Sequence, residues 1–253
     1  MTHIKIIIGD LISWIREWFE ENGPDKYAVI GISGGKDSSV VAALMVAALG
    51  KERVFGVLMP NGEQPDIDYS QELVKYLGIK SATININDSV MGVIDGLKHD
   101  DNIAIISKQA MTNLPPRIRM TTLYAVSQTI DGRVINTSNA SEGSIGYSTR
   151  YGDSVGDMAP IARFTAEEVI EIGKFLKLPK KFLIKPPSDG LCGKTDEENI
   201  GFSYSVLDKY IRTGVCEDEE IKKKIDERVI KNKFKQEFME TFEPQLYNHF
   251  YPW

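Results

Sequence analysis

Residues 27–49, YAVIGISGGKDSSVVAALMVAAL, constrain the chain more than any other stretch. YAVIGI (27–32) is a short apolar run of β-formers, which predicts a buried strand. VVAALMVAAL (40–49) predicts a strongly apolar helix. The seven residues between them leave room only for a tight loop. A strand, a tight loop and an apolar helix in succession are the opening of a βαβ unit, and therefore of a layered α/β fold.

The flanking sequence continues the alternation. Leu11, Ile12, Trp14, Ile15, Trp18 and Phe19 recur at helical spacing, which predicts a helix over 9–22 ended by Gly23-Pro24. RVFGVLMP (53–60) reads as a strand, 66–77 as a helix and SATINI (81–86) as a third strand. Helices are expected over 88–97 and 117–129, the second entered through Pro115-Pro116, followed by a strand at RVINT (133–137). Strands alternating with helices predict a doubly wound, Rossmann-like, mainly parallel sheet with helices on both faces. Residues 138–160 are rich in Gly, Ser, Thr, Asn and Asp, and an irregular loop of that length is usually functional or disordered. The C-terminal third reads as helical over 165–177, 203–212 and 218–240, and residues 1–253 are expected to form one domain.

Composition excludes several classes. With 42% hydrophobic residues in 253, a proper core is available. No apolar run is long enough for a bilayer, and the N-terminus lacks a small-residue cleavage site, so a cytoplasmic protein is expected. The two cysteines, Cys192 and Cys216, form neither a disulfide framework nor a metal-ligand spacing. A formal charge of −6 argues against sequence-independent nucleic-acid binding.

The loop from Gly31 through Ile32, Ser33, Gly34, Gly35, Lys36 and Asp37 to Ser38 has the chemistry of a phosphate site. It is not a Walker A loop: the glycine spacing is one short, and Asp37 follows the lysine where Ser or Thr is needed. The glycines let the backbone approach an anion, the two serines offer hydroxyls, and the helix start adds N–H groups and the positive end of its dipole. Asp37 would repel phosphate unless a divalent cation such as Mg²⁺ bridged them. The plain alternative is a Gly-rich βα turn with a capping Asp.

SGGKDS (33–38) resembles the SGGxDS loop of the N-type ATP pyrophosphatases, which cleave ATP between its α- and β-phosphates and adenylate a substrate oxygen. Four further blocks, in order, resemble the ammonia-dependent NAD synthetases within that group. NLPPRIRMTTLY (113–124) is similar to the family's N-x-x-A-R-x-R-M. This resemblance implies deamido-NAD contacts for Asn113 and Arg117 and an ATP contact for Arg119. VINTSNASE (134–142) implies an ATP contact for Thr137 and a metal ligand in Glu142, paired with Asp37. GYSTRYGDSVGD (146–157) implies deamido-NAD contacts for Arg150 and Asp157 and an ammonia-site acid in Asp153. Tyr147 and Tyr151 could stack on rings or pack as core. KPPSDGLCGKTDE (185–197) implies an ATP contact for Ser188 and carries an acidic pair, Asp196 and Glu197. NKFK (232–235) resembles a segment in which a lysine, here Lys235, reaches deamido-NAD.

The resemblance covers roughly 9–240 and implies amidation of deamido-NAD by ammonia, with ATP as co-substrate and Mg²⁺ as cofactor. It implies catalytic roles for Lys36, Asp37 and Asp153, and a homodimer with no nucleic-acid or membrane partner. No linked glutaminase domain is expected, so free ammonia is the implied nitrogen donor. The chain departs from the pattern in four places, one of them being Phe234 and Gln236, which flank Lys235 where the family often has His and Arg. Asn136 stands for a usual Gly, and Ala140 for a frequent Lys. Thr165-Ala166-Glu167 lacks an ATP-contacting Lys, for which Lys36 and Arg163 are candidate substitutes. The competing readings are another enzyme of the SGGxDS group, such as a tRNA thiolase, and an ATP sensor without turnover.

Overall fold

The computed structural model describes residues 2–103, 105–184, 196–237 and 239–242. A four-stranded parallel sheet lies at its centre in the order β3-β2-β1-β4, built from β1 (Tyr27–Gly31), β2 (Val54–Leu58), β3 (Lys80–Thr83) and β4 (Gly132–Val134). The helices up to the last strand are α1 (Thr2–Asn22), α2 (Lys36–Leu49), α3 (Ile67–Leu77), α4 (Asn87–Lys98) and α5 (Lys108–Thr129). After β4 come α6 (Ala140–Ser144), α7 (Ala166–Phe175), α8 (Asp196–Ile200), α9 (Tyr204–Thr213) and α10 (Glu219–Asn232).

Alternation along the strands divides the core in two. Ala28, Ile30, Val54 and Leu58 face one cluster with α1, α2, α3 and α7, while Val29, Val57 and Val134 face the other with α4 and α5. This is the doubly wound arrangement expected from the sequence. Residues 38–45 of α2 are buried on every side, and Ile8, Leu11, Ile15 and Phe19 of α1 cover it. A third, smaller cluster joins α6, α8, α9 and α10 through Ile145, Ile200, Leu207 and Ile225.

Several boundaries differ from expectation, each for a physical reason. The first helix begins seven residues earlier than 9, because Ile4 and Ile8 extend the same apolar face. The fifth starts at Lys108 rather than after the prolines: Ser107 caps it, accepting from Ala110 N at 3.1 Å. Pro115 and Pro116 lie inside it and remove the N–H groups that would have met the Met111 and Thr112 carbonyls. The third and fourth strands end early as ladders, yet Ile84 N and Ile86 N still donate to Leu58 O and Pro60 O. Ile135 N still donates to Val29 O at 2.9 Å, and on its other side Ile135 bridges Met158. Within 138–160, α6 and a net of turns replace the structureless loop. The last helix stops at Asn232 instead of 240 and passes into a single 3-10 turn, Lys233–Lys235.

Leu44 is fully buried at the centre of α2. Leu44→Ala is expected to lower stability by about 2–5 kcal/mol, measured as a shift in the urea unfolding midpoint with unchanged slope.

Candidate active site

The order of the strands reverses between β1 and β4, and a ligand crevice is expected beyond the carboxyl ends of the strands at that point. A cleft of about 1430 Å³ opens there. Gly31, Ile32, Ser33, Gly35, Lys36 and Asp37 line it after β1, Met59 and Asn61 after β2, and Asn136 and Thr137 after β4. The far wall is α10 and the turn that follows it, with Lys224, Arg228, Lys231 and Lys235.

The loop after β1 is held by its own hydroxyls. Ser33 Oγ and Ser38 Oγ are 3.0 Å apart, Gly35 N donates to Ser33 Oγ, and Ser38 Oγ donates to Gly35 O. Gly34 has φ +74°, and a Cβ there would meet Ser70 N at 2.9 Å and Tyr69 Cβ at 2.8 Å. Only glycine lets the loop close against the start of α3. Gly35 caps α2, and Gly35, Lys36 and Asp37 line the cleft, so the positive end of the helix dipole faces it.

Asp37 begins α2 beside that anion seat. Its Oδ2 accepts from Lys36 Nζ at 2.8 Å and its Oδ1 from Asn139 Nδ2 at 3.1 Å. Asn139 also accepts from Glu142 N at 3.0 Å as the cap of α6, so one buried amide ties the Asp37 carboxylate to the backbone that carries Glu142. Both belong to the cleft. Among the described residues no three His, Cys, Asp or Glu side chains come together as a metal cage. An all-oxygen pair beside a phosphate seat fits Mg²⁺, which takes one or two carboxylates and completes its shell with phosphate and water.

A second charged group lies across the cleft. Asp153 accepts from Thr149 N at 2.6 Å through Oδ1. Burial pushes its carboxyl pKa up, and the Thr149 N–H with the Lys235 and Arg119 cations opposes that rise. Arg119 donates from Nε to Met59 O at 3.1 Å, tying α5 to the end of β2. Burial lowers the pKa of both Arg119 and Lys235, and Asp153 offsets this in each. Asn61 Oδ1 and Ser148 Oγ are buried on the cleft with no hydrogen-bond partner.

A family model described as NAD synthase matches residues 7–244. The chain is 39% identical to the NH(3)-dependent NAD(+) synthetase of Pyrococcus horikoshii, over 79% of this chain and 76% of that protein. It is 35% identical to the Finegoldia magna enzyme of the same name, over 96% and 98%.

The chain belongs to the NAD synthase family.

Among solved structures, it superposes on NMN synthetase from Francisella tularensis with a TM-score of 0.85 at 30% identity, covering 96% of this chain and 99% of that one. It superposes on the NH3-dependent NAD synthetase of Campylobacter jejuni with a TM-score of 0.75 at 28% identity, covering 95% and 99%.

Set against the family pattern, the cleft gathers most of the expected residues. Gly31, Ile32, Ser33, Gly35, Lys36, Asp37, Asn113, Arg119, Thr137, Glu142, Asp153 and Lys235 all line it. Gly34 and Ser38 support the loop from behind. Arg117 and Arg150 lie to one side, where Arg117 Nε donates to Arg150 O at 3.3 Å and Arg150 donates to Glu237 O. Asp157 does not line the cleft: it accepts from Tyr124 Oη at 3.2 Å and Val134 N at 2.7 Å, closing the edge of β4. Burial and Asp157 together push the Tyr124 phenol up to about 12. Glu197 receives Tyr204 N at 2.8 Å at the start of α9. Ser188 lies outside the described residues.

The departures from the family pattern have local explanations. Asn136 is buried and donates to Asp153 O and Val155 O while accepting from Ser138 N, so its amide organises the loop that carries Asp153. Ala166 lies in the third cluster, its N–H donating to Ser141 Oγ at 2.9 Å, while Ser141 donates to the buried Asp208 of α9. Arg163 is not a lining residue of the cleft, whereas Lys36 is. Sequence reasoning missed Lys224, Arg228 and Lys231. Their signal was spacing: positions 224, 228, 231 and 235 share one helical face.

Arg212 of α9 pairs with Glu168 of α7, its Nε 2.7 Å from Oε1, holding this wall of the family fold together. Burial alone would raise the Glu168 pKa, but Arg212 and the Thr165 N–H bring it below the ordinary glutamate value. The stabilisation is therefore complete above the unfolded-state pKa and is lost as pH falls through the lower folded one. Glu168→Gln is expected to flatten the acid limb of stability against pH, read from thermal unfolding at a series of pH values.

Proposed function

We propose that the chain catalyses ATP-dependent amidation of deamido-NAD by ammonia, giving NAD, AMP and pyrophosphate. The single observation that carries this reading is the start of α2 opening on the cleft beside Asp37, with Asn139 tying the Asp37 carboxylate to the α6 backbone that carries Glu142. The nicotinate carboxylate attacks the α-phosphorus of ATP in line, and pyrophosphate leaves toward the Ser33–Ser38 loop. Ammonia then attacks the mixed anhydride, forming the amide and releasing AMP.

In this reading Gly31 to Ser38, Arg119 and Thr137 bind ATP, and Lys36 neutralises part of its charge. Asp37 and Glu142 would hold Mg²⁺, which when bound offsets the negative charge that grows on the phosphates. Ser188 is an ATP contact on the resemblance alone. Asn113, Arg117 and Arg150 bind the pyridine nucleotide. Asp153, flanked by Arg119 and Lys235, receives the N–H groups of ammonium. Pre-set N–H groups and cations need no reorganisation as charge develops.

A homodimer is part of the proposal. Met91, Val93, Ile103, Ile105 and Met111 expose apolar surface around α4 and α5, and Ile105 is 86% exposed. A second copy would cover this face. A cytoplasmic location is also proposed, since among the described residues no helix is long and apolar enough to cross a membrane.

A second reading has its own support. The 0.85 TM-score with NMN synthetase favours the mononucleotide, rather than the dinucleotide, as the acid that is amidated. The deciding assay supplies ATP, Mg²⁺ and ammonium with either acid and follows amide and AMP together. Equal amounts of NAD and AMP from deamido-NAD support the first reading. Turnover of the mononucleotide alone supports the second, and AMP without amide from either acid removes both. Asp37→Ala is expected to lower kcat by about a hundredfold or more, the scale of several kcal/mol of lost charge stabilisation.

A further inference from the structure

The segment that carries Asp153 runs back along the end of β4. Asp157 N donates to Val134 O at 2.7 Å and Asn136 N to Met158 O at 2.8 Å, so backbone bonds hold its far end. Among the described residues, no such bond from the chain after β4 reaches Asp153 itself. The Asn136 side chain does. Its Nδ2 donates to Asp153 O at 2.8 Å and to Val155 O at 3.0 Å, while its Oδ1 accepts from Ser138 N at 2.8 Å. Ser138 Oγ adds a second bond to Asp153 O at 2.9 Å. The fit around the buried Asn136 is close: a Cβ at Gly156 would meet Asn136 N at 2.9 Å and Asn136 Cβ at 3.0 Å. On its other side Asp153 Oδ1 accepts from Thr149 N at 2.6 Å, and Thr149 Oγ1 donates to Asn113 Oδ1 of α5 at 3.0 Å.

We infer that Asn136 is a positioning residue: its amide fixes the backbone at Asp153, and with it the place of the carboxylate that meets ammonium. This inference rests on the reading of Asp153 as the partner of ammonium. A primary amide carries two donors and an acceptor on one short planar group. Two carbonyls on one side of Asn136 and an N–H on the other admit only one orientation of that group. Removing the amide frees the carbonyls of Asp153 and Val155 but leaves the backbone bonds of Asp157 and Met158 in place. Asp153 then drifts at the free end of a segment that is otherwise anchored. Ammonium is small and makes few contacts, and a hydrogen bond weakens steeply away from its preferred geometry. A nucleotide held at many points is far less sensitive to the same drift.

The test compares Asn136→Ala, Ser138→Ala and Gly156→Ala with the unaltered full chain. Hydrogen exchange of the Thr149 amide, whose N–H rests on the Asp153 carboxylate, reads that carboxylate without turnover. Asn136→Ala is expected to speed this exchange about tenfold relative to the amides of β1. At one pH, with ammonium, ATP and the pyridine nucleotide varied in turn, it is expected to raise KM for ammonium about tenfold and leave the other two within about twofold. Ser138→Ala, which removes one of the two bonds to Asp153 O, should move both readings the same way by less. Gly156→Ala keeps the amide but drives the segment off it, so it should reproduce the split, and it carries the test if Asn136→Ala does not fold. Equal acceleration of every amide would make Asn136 a general stabiliser and overturn the inference. An unmoved Thr149 amide or an unmoved ammonium KM would overturn it as well. A rise in KM for ATP matching that for ammonium would place the effect at Thr137 and do the same. If the unaltered chain forms no amide from either acid, the proposed function falls, and the exchange measurement alone decides whether Asn136 holds Asp153.

Discussion

A helix without a polar face must be surrounded, and satisfying that need for α2 organises the rest of the molecule. Its residues from 38 to 45 are buried against β1, β2, α1, α3 and α7. Five elements enclosing one helix leave a single direction for its N-terminus, toward the carboxyl ends of the strands. The first turn of α2 therefore opens on the cleft, which Gly35, Lys36 and Asp37 line. Burial of apolar surface in α2 thus presents the anion seat.

The cleft brings opposite charges together: Lys36, Arg119 and the Lys224, Arg228, Lys231 and Lys235 set line it from three separate parts of the chain. Asp37, Glu63, Asp66, Glu142, Asp153 and Glu227 line it with them, so its charge is patterned in place of being of one sign. The Asp37 carboxylate is held by the Asn139 amide and that of Asp153 by the Thr149 N–H.

Much of the fold was legible because apolar periodicity reports burial directly. The strands after Tyr27 and Val54 and the helices around Leu44, Leu73 and Val169 fall where the pattern places them. The misplaced boundaries share one cause. Pro115 and Pro116 carry a local signal for a helix start, but the cap on Ser107 and packing against β1 and β4 outweigh it. Asn232 carries no strong stop signal, yet its bonds to Ile145 O and Arg228 O end the helix. In both places a long-range contact overrides a local preference.

The site divides the same way. By itself the sequence determined that a strand, a glycine loop and a buried helix would make a phosphate seat with Asp37 at its edge, because those features lie within the consecutive residues 27–49. The spacing of Lys224, Arg228 and Lys231 also puts them, with Glu227, on one face of α10. Only the tertiary structure decided that this face closes the cleft, that Asp157 turns away to seal β4, and that the Asn136 amide reaches Asp153 O. Each depends on which of several reachable partners a polar group meets. Hydrogen bonds between segments 89 or 102 positions apart leave no periodic trace in the chain.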